Sequence, residues 1–407
     1  MQGAWRLARA KGAAMAILVV NAGSSTLKFS LHPLRDGDVM PSVLSGNIQG
    51  LEPQGAPEIS WRHEGQASSE PMQAGLGDPF EHAMQHLREL LSSLPGLPSL
   101  QAIAHRVVHG GERYTQSVIV TPAVVQDLAR LNSLAPLHQP HNLAGIEAFA
   151  QAFPGLPQIA CFDTAFHGTV PEQERQFALP RALTQQGVRR YGFHGLSYQY
   201  ILGVLQEQST RSDGKVLMAH LGNGASLCAA NRGHSCATTM GFSALDGLMM
   251  GTRSGALDAG VLLYLLEQGW THAQLQSLLY KESGLLGVSG ISADMRKLRA
   301  DPSPAAQWAV KLFTHRVVRE SGALLACLQG LDVMAFSGGI GEHDALLRNE
   351  VCQALHWLGV RIDPARNEQA NGTEIVALHT PDSRVEVWVI PTDEGRVAAR
   401  EAAALIR

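Results

Sequence analysis

Arginine and histidine side chains recur in short, glycine-containing segments of this chain and suggest chemistry on negatively charged groups. The segments are HRVVHGGE (105–112), PLHQPHN (136–142), YGFHG (191–195) and MGTRSG (250–255). Arg106 and Arg253 offer planar guanidinium groups that match carboxylate and phosphate oxygens, and His138 and His194 add compact hydrogen-bond donors. A transferring phosphoryl group spreads negative charge over three oxygens, so its catalysis needs mainly positive charge and correct positioning. These segments therefore favour phosphoryl transfer.

Glycine-rich turns follow apolar, strand-like runs at three places. They are NAGSSTLK (21–28), LGNGAS (221–226) and FSGGIGE (336–342). Backbone N–H groups in such turns can converge on phosphate oxygens, and a backbone without side chains can lie against a flat purine. Neither the Walker pattern G-x-x-x-x-G-K-[ST] nor the dinucleotide pattern G-x-G-x-x-G is present. Three turns of this kind together predict nucleotide binding.

Carboxylates at the ends of predicted strands complete the candidate chemistry. Asp163 follows the apolar run IACF, and the segment TDEG (392–395) follows VEVWVIP. Mg²⁺ held by one or two protein groups together with nucleotide oxygens is the expected use of such residues. Zinc is disfavoured, because His105 and His109 are four residues apart but lack the H-E-x-x-H pattern. Covalent hydrolase chemistry is not indicated, because the sequence has no nucleophile elbow.

An α/β framework must position these residues. The β-like runs ILVVN, LKFSLH and SVLSGNI, separated by turn residues, predict an opening β-meander. Later strand-like runs, AIAHRVV, QIACFDT and KVLMAHL, alternate with helical stretches, as in layered α/β proteins. Apolar spacing and flanking breakers predict helices over 81–91, 121–134, 260–279, 304–328 and 393–406.

A weak internal repeat suggests that the framework is duplicated. ILVVNAGSSTL near the start and VLMAHLGNGASLCAA in the middle each combine a strand, a turn of small residues and a second strand. The turn glycines Gly23 and Gly224 lie about half the chain apart. This spacing predicts two similar halves, each of which supplies a phosphate loop to a cleft.

Size and charge narrow the class of protein. A chain of 407 residues exceeds the size at which a single core stops growing, so two domains are expected. The 32 Lys and Arg residues nearly balance the 36 Asp and Glu residues, and the net charge of −4 favours neither nucleic acid nor membrane as a partner. No apolar stretch approaches the length of a membrane span.

The cysteines and the N-terminus bear on location. Five scattered cysteines without a C-x-x-C pair are typical of a reduced, cytoplasmic protein without structural zinc. The start, MQGAWRLARAKGAA, lacks the apolar centre of a secretory signal. It could be an Arg- and Ala-rich transit peptide, but Met15 opens the first strand so directly that we interpret residues 1–14 as a disordered extension or a mis-annotated start.

The motifs as a set resemble the acetate and propionate kinase family, within the actin, hexokinase and heat-shock ATPase superfamily. The resemblance runs from Ala16 to the C-terminus. Nine segments carry it in the order of the family: VVNAGSSTLKFSL, AHRVVHGGERY, APLHQPHN, CFDTAFHGTVP, YGFHGLS, HLGNGASL, MGFSALDGLMMGTRSG, SGLLGVSGISADMR and FSGGIGEH.

The resemblance implies both a fold and an activity. The fold is an α/β, two-domain, duplicated βββαβαβα fold of the actin-like, ribonuclease H-like type, with an interdomain cleft. Residues 15–164 with 393–407 would form the N-terminal domain and 165–392 the nucleotide-binding domain, in a cytoplasmic homodimer. The activity is reversible phosphorylation of acetate by ATP, giving acetyl phosphate by direct in-line transfer. A propionate kinase is the nearest alternative, and a non-catalytic ATP clamp of the superfamily is a more remote one.

The resemblance also implies roles for individual residues. Arg106 and Arg253 would hold the carboxylate and the transferring phosphoryl group, His194 and Arg253 would stabilise the transition state, His138 would assist, and Asp163 would orient the arginines. The implied acid pocket consists of Arg106, Val108, Leu137, Phe193 and Ala244. The implied ATP/ADP site consists of Ser24, Thr26, Lys28, His220, Gly222, Asn223, Gly224, Asp294, Met295, Arg296, Gly338, Gly339, Ile340 and Gly341. Asn21 and Glu394 match the positions linked to Mg²⁺, for which Mn²⁺ could substitute.

Several positions depart from the pattern of the family. Ala237 and Ala256 stand where aspartates are usual, so each removes a carboxylate from the neighbourhood of Arg253. Ala244 stands where a proline usually walls the acid pocket, and Gly395 replaces a second glutamate near the metal. The resemblance therefore predicts that Arg253 is oriented differently, with an effect on the turnover rate, and that the acid pocket is more spacious.

Overall fold

The structure, a computed structural model, describes residues 14–23, 25–52, 55–72, 79–136 and 138–407. The predicted site residues Ser24 and Leu137 lie outside these ranges, as does the predicted extension apart from Ala14. The described chain divides into two compact units, one containing the residues up to Ala165 together with Asp393–Arg407, and the other containing Phe166–Thr392.

Helices and strands occur in runs along the described chain. The helices are α1 (Pro79–Ser93), α2 (Pro122–Ala129), α3 (Gln139–Ala152), α4 (Glu172–Arg175), α5 (Arg181–Gln185), α6 (Gly195–Gln208), α7 (Ala259–Glu267), α8 (His272–Lys281), α9 (Gly284–Ser289), α10 (Met295–Ala300), α11 (Pro304–Leu328), α12 (Gly338–His343), α13 (Ala345–Ala354), α14 (Pro364–Gln369) and α15 (Glu394–Leu405). Short 3₁₀ helices lie at Ala165–Thr169 and His356–Leu358. No helix in the described ranges is long and apolar enough to cross a membrane.

The strands form one mixed sheet in each unit. They are β1 (Met15–Ala22), β2 (Thr26–Arg35), β3 (Asp38–Val39), β4 (Leu44–Gln49), β5 (Glu58–His63), β6 (Gln66–Pro71), β7 (Ser99–Val107), β8 (Val118–Ile119), β9 (Gln158–Phe162), β10 (Lys215–Leu221), β11 (Ala225–Asn231), β12 (His234–Thr238), β13 (Val333–Ser337), β14 (Val376–Ala377) and β15 (Glu386–Val389). The first sheet has the order β6-β5-β4-β2-β1-β7-β9-β8, with β3 against β2. The second has the order β12-β11-β10-β13-β15-β14.

The same five-strand core occurs in both units. The order β4-β2-β1-β7-β9 matches β12-β11-β10-β13-β15, and the four pairings along each row are antiparallel, antiparallel, parallel and parallel. The two segments of the internal repeat form the equivalent hairpins β1–β2 and β10–β11. The predicted duplication is therefore confirmed.

Apolar strands and the helices α1 and α3 build the core of the first unit. Buried residues of β1 and β2, among them Leu18, Val20 and Leu31, pack in one cluster with Met84 and Leu87 of α1. Those two helix positions are three residues apart and so lie on one face. Because β1 is buried on both sides, its sequence is a continuous apolar run rather than an alternating one.

The helix predictions are right in part. The helix predicted over 304–328 is confirmed by α11 with the same bounds. The single helix predicted over 260–279 is wrong: Gly269 has a φ of +86°, and Thr271 is the N-cap of α8, in a capping box with Gln274. The helix predicted over 121–134 is too long, because α2 ends at Ala129 and turns follow.

A fully buried arginine joins three helices of the second unit. Arg348, on α13, donates to the carbonyls of Gly341 (3.0 Å) and Glu342 (2.8 Å) in α12. It also donates to the carbonyls of Asn367 (2.6 Å) and Ala370 (2.9 Å) at the end of α14, and to Oδ1 of Asn367 (2.8 Å). Burial lowers the pKa of Arg348 to about 10. The last carbonyls of α12 and α14 thus obtain the hydrogen bonds that a helix end lacks.

We predict that Arg348→Met lowers the free energy of unfolding by about 3 kcal/mol or more, because each buried polar group left without a partner costs roughly 1–3 kcal/mol. Urea denaturation of the two proteins measures the difference. Arg361→Met is the control, because Arg361 forms an exposed pair with Asp382 and such pairs contribute at most about 1 kcal/mol. Equal stability of the Arg348→Met variant and the control would contradict the assignment.

Candidate active site

The carboxyl ends of β7 and β9 in the first unit hold a cluster of charges. Arg106 donates from Nε to Oδ1 of Asp163 (2.9 Å) and from Nη2 to Oδ2 (2.8 Å), which is the two-bond geometry of a guanidinium–carboxylate pair. Its Nη1 donates to Oε2 of Glu394, the first residue of α15. The parallel pairing of β7 with β9 brings Arg106 and the buried Asp163 to the same edge of the sheet.

The balance of charge in this cluster is negative. Burial alone would lower the pKa of Arg106, but the charges of Asp163 and Glu394 outweigh burial and raise the pKa. Arg106 is therefore protonated at any physiological pH, and one cation faces two carboxylates. The hydrogen bond uses one oxygen of the Glu394 carboxylate, Oε2. A further cation would balance the cluster.

Asn142 is a positioning residue that the sequence reasoning missed. Its Oδ1 accepts from the backbone N–H of Val108 (2.9 Å), and its Nδ2 donates to the carbonyl of Ala22 (2.8 Å). The side chain thus joins the ends of β7 and β1 and fixes the backbone at the predicted pocket residue Val108. Its position at the end of the PLHQPHN motif was the signal available.

The first glycine-rich turn closes the β1–β2 hairpin. Asn21 pairs with Lys28 across the hairpin, and the N–H of Gly23 donates to the carbonyl of Thr26 (2.8 Å). A β-carbon added at Gly23 would lie 3.2 Å from Oγ1 of Thr26, so this turn favours glycine. Asn21 and Thr26 are partly buried and Lys28 is exposed.

His138 lies at a helix terminus of the first unit. It is the N-cap residue of α3 and is exposed, and no hydrogen bond from its side chain caps the helix. Its carbonyl accepts from the N–H of Asn142 (3.0 Å), which links it to the positioning residue above.

His194, in the second unit, is held from two sides. Its Nδ1 lies 2.8 Å from Oγ of Ser226, which itself lies 2.5 Å from the hydroxyl of Tyr198. Its ring stacks on that of His220 with the centroids 4.3 Å apart. His220 is in turn held by Ser197, whose Oγ lies 2.8 Å from Nδ1. The contact with Ser226 uses Nδ1, one of the two ring nitrogens of His194.

Arg253 and His194 meet at the second glycine-rich turn. A β-carbon added at Gly224 would lie 2.7 Å from Nη2 of Arg253 and 3.3 Å from Nε2 of His194, so both groups crowd this glycine. Nη1 of Arg253 donates to the carbonyl of Ala244 (2.6 Å), which places a predicted pocket residue beside a predicted catalytic one. Among the described residues, no carboxylate forms a salt bridge with Arg253, and burial lowers its pKa.

A cavity of about 820 Å³ in the same unit is lined by half of the predicted nucleotide residues. Seven of them line it: Gly222, Asn223, Asp294, Met295, Arg296, Gly339 and Ile340. Arg296 and Asp294 form an exposed pair at 2.7 Å, and the hydrogen bonds from Arg296 lower the pKa of the Asp294 carboxyl to about 2. Gly251 packs against the turn, and a β-carbon there would lie 1.9 Å from Oδ1 of Asn223.

The third glycine-rich turn opens α12 at the same cavity. Gly338 has a φ of +76°, and an added β-carbon would lie 2.7 Å from the carbonyl oxygen of Leu221. Glu342, which the sequence reasoning did not single out, accepts at Oε1 from the N–H groups of Gly338 (2.8 Å) and Thr392 (3.1 Å). The predicted residue Gly341 is buried and does not line the cavity, and its carbonyl accepts from Arg348.

Comparisons with known proteins agree with this arrangement. The sequence profile of the Acetokinase family matches residues 16–400. An acetate kinase from Rhodopseudomonas palustris is 49% identical over 388 residues, which cover 94% of this chain and 96% of the relative. The crystal structure of a propionate kinase from Francisella tularensis has a TM-score of 0.88 at 34% identity and covers 95% of this chain and 98% of that one. The crystal structure of Porphyromonas gingivalis acetate kinase has a TM-score of 0.87 at 33% identity and covers 97% and 100%.

These matches extend over both units and over the turns and charged clusters described above, and the chain therefore belongs to the Acetokinase family.

Proposed function

We propose that this protein catalyses the reversible transfer of the γ-phosphoryl group of ATP to the carboxylate of acetate. The observation that carries the proposal is the LGNG turn of the second unit. Its residues Gly222 and Asn223 line the nucleotide cavity, while Gly224 is in contact with Arg253 and His194. Groups suited to the charge of a transferring phosphoryl therefore lie next to the cavity that would hold the nucleotide.

The reaction needs no general base. The pKa of acetate is near that of a glutamate side chain, ~4.3, so the nucleophile is already ionised at neutral pH. The protein must instead bring two anions together and stabilise the charge that develops on the transferring group. Arg106 binds the acid, and Arg253 with Nε2 of His194 binds the phosphoryl oxygens as the transition state forms.

Mg²⁺ fits the first unit. The side chains of Asn21 and Glu394 supply amide and carboxylate oxygens, the donor type that Mg²⁺ prefers. The cluster of Arg106, Asp163 and Glu394 has one positive and two negative groups, so a divalent cation at Glu394 would reverse its net charge and favour an anionic substrate. When bound, the ion would neutralise phosphate oxygens of the nucleotide.

A non-catalytic ATP clamp explains less of the structure. A clamp needs the cavity and its glycine-rich turns, but it gives no role to Arg253 and His194 at Gly224. A reduced, cytoplasmic location is proposed with the activity, and all five cysteines are free.

The protein is also proposed to form a homodimer, in which α7 contacts a second copy. The helix, with the sequence AGVLLYLLE, has no buried residue in the single chain. A helix that is apolar on every side is normally covered, and large exposed apolar patches mark interaction sites. The exposed side chains in and next to α7 are Leu257, Val261, Leu263, Tyr264 and Leu266.

We predict that the wild-type protein forms acyl phosphate from ATP and acetate, which can be trapped and measured as the hydroxamate. We also predict that Arg253→Ala lowers kcat by ~100-fold or more, while the affinity for ATP changes little. The loss of kcat is expected because the charge of Arg253 stabilises the transition state. Arg106→Ala should behave similarly. The surface variant Arg361→Ala is the matched control. Retention of a tenth of wild-type kcat by Arg253→Ala would reject its role, and absence of acyl phosphate with the wild type would reject the function.

We predict that Ala244→Pro lowers the ratio of kcat/KM for propionate to that for acetate. The extra ring carbons would narrow the acid pocket, and one methylene in such a pocket is worth ~10–200-fold in discrimination. The carbonyl of residue 244, which accepts from Arg253, is kept in this variant. Steady-state kinetics with acetate, propionate and butyrate measure the effect, with KM for ATP as the internal control. An unchanged ratio would remove Ala244 from the acid pocket.

We predict that Leu263→Glu converts the dimer to a monomer, because a charge in the centre of an apolar interface is left without a partner. Sedimentation velocity at several concentrations gives the oligomeric state. Ile119→Glu, at an exposed apolar position of the other unit, serves as the control and should remain dimeric. A wild-type protein that is monomeric, or a dimeric Leu263→Glu variant, would exclude this interface.

A further inference from the structure

The backbone at His194 adopts an unusual conformation. Its φ of 60° and ψ of 25° lie in the left-handed region, which residues with a β-carbon rarely adopt. Gly192, two residues earlier, also has a positive φ, of 77°. Such a turn persists only where the surrounding structure holds it, and strained backbone of this kind clusters at functional sites.

The side chain of His167 holds this turn. His167 is 2% exposed, and its Nε2 lies 2.9 Å from the carbonyl oxygen of Phe193, between the two positive-φ residues. Its ring also packs on Gly192, where an added β-carbon would lie 2.6 Å from Cδ2 of the imidazole. The edge of the ring faces Tyr198, with the centroids 5.7 Å apart. His167 therefore fills the space beneath the turn and forms a hydrogen bond to its backbone.

The hydrogen bonds of His167 define its protonation. Burial lowers its pKa to about 4, so the ring is neutral at physiological pH. The carbonyl of Phe193 can only accept, so Nε2 carries the proton and donates to it. Nδ1 is then the acceptor, and Oγ of Ser235, 2.9 Å away, donates to it. Ser235 is fixed in turn, because its carbonyl accepts from Oγ1 of Thr169 (2.9 Å).

We propose that His167 is a positioning residue, whose Nε2–H bond to the Phe193 carbonyl sets the orientation of the His194 and Phe193 side chains. The turn places Nε2 of His194 beside Arg253 and Gly224, and it contains Phe193, which the resemblance assigns to the acid pocket. Loss of this hydrogen bond slows the phosphoryl-transfer step and weakens the binding of the acid. It leaves the nucleotide cavity unchanged. This inference rests on the proposed function, because the roles of His194 and Phe193 belong to it.

A pair of amide substitutions at position 167 tests the proposal. Gln places an amide N–H near the position of Nε2, whereas Asn reaches only as far as Nδ1. His167→Asn is expected to lower kcat by about 10- to 100-fold and to raise KM for acetate, while KM for ATP stays the same. His167→Gln is expected to recover most of the loss. A role in folding alone would lower the melting temperature of both variants and would leave KM for acetate unchanged in the folded fraction.

Two controls make the outcome specific. Ser321→Ala removes another buried side-chain donor, which donates to the Val317 carbonyl at 2.7 Å in α11, and it should leave all kinetic constants unchanged. The ring resonances of ¹⁵N-labelled His194, assigned with a His194→Gln variant, should shift in His167→Asn and not in His167→Gln. That measurement needs no turnover, so it tests His167 even if the wild type forms no acyl phosphate and the proposed function fails. Equal kcat in the Asn and Gln variants, or unshifted His194 resonances, would overturn the proposal.

Discussion

The central constraint on this protein is that its arginines must bind two anions, the acid and the phosphoryl group. The groups that hold each arginine in place must not neutralise its charge. The two arginines meet this constraint differently. Arg106 is fixed by two carboxylates and so belongs to a cluster of net negative charge, which only an added cation can make attractive to an anion. Arg253 is fixed by the carbonyl of Ala244, a dipole, and keeps its full charge. The two carboxylates hold the guanidinium of Arg106 rigidly, whereas the charge of Arg253 acts more strongly on an anion in a partly buried site.

The duplicated sheet explains why both arrangements are available. In each unit the same five strands bring a hairpin turn and the ends of parallel strands to one edge of the sheet. In the first unit the strand ends carry Arg106 and Asp163, and in the second the hairpin turn carries Gly222, Asn223 and Gly224. Since the framework is common, the difference in chemistry comes from the side chains at equivalent places.

The sequence predicted features that depend on local pattern and missed those that depend on distant partners. The strands of both hairpins and the helix over 304–328 follow from apolar runs and flanking breakers, whereas the break at Gly269 was hidden by the apolar residues on both sides of it. Seven of the residues that line the 820 Å³ cavity belong to the predicted nucleotide motifs, whereas Arg299 and Asp344, which also line it, were not predicted. The bond of Arg106 to Glu394 joins residues 288 positions apart, and no periodicity of the sequence indicates it. Asn142 and His167 stood inside recognised motifs, but their roles depend on which carbonyl or N–H each one meets in the fold.

The resemblance implies carboxylates near Arg253 at positions 237 and 256, and the alanines found there can be considered in the same terms. The positions 237 and 256 carry alanine, and Ala237 is fully buried on β12, so the space is filled by an apolar group rather than by a second charge. A carboxylate beside Arg253 would raise the pKa of its guanidinium and fix its geometry, but it would also neutralise part of the charge offered to the phosphoryl group. Burial without such a partner lowers the pKa, yet a guanidinium remains protonated in proteins. Without a carboxylate bonded to it, Arg253 keeps its whole charge beside Gly224, and the orientation of its guanidinium depends on the carbonyl of Ala244.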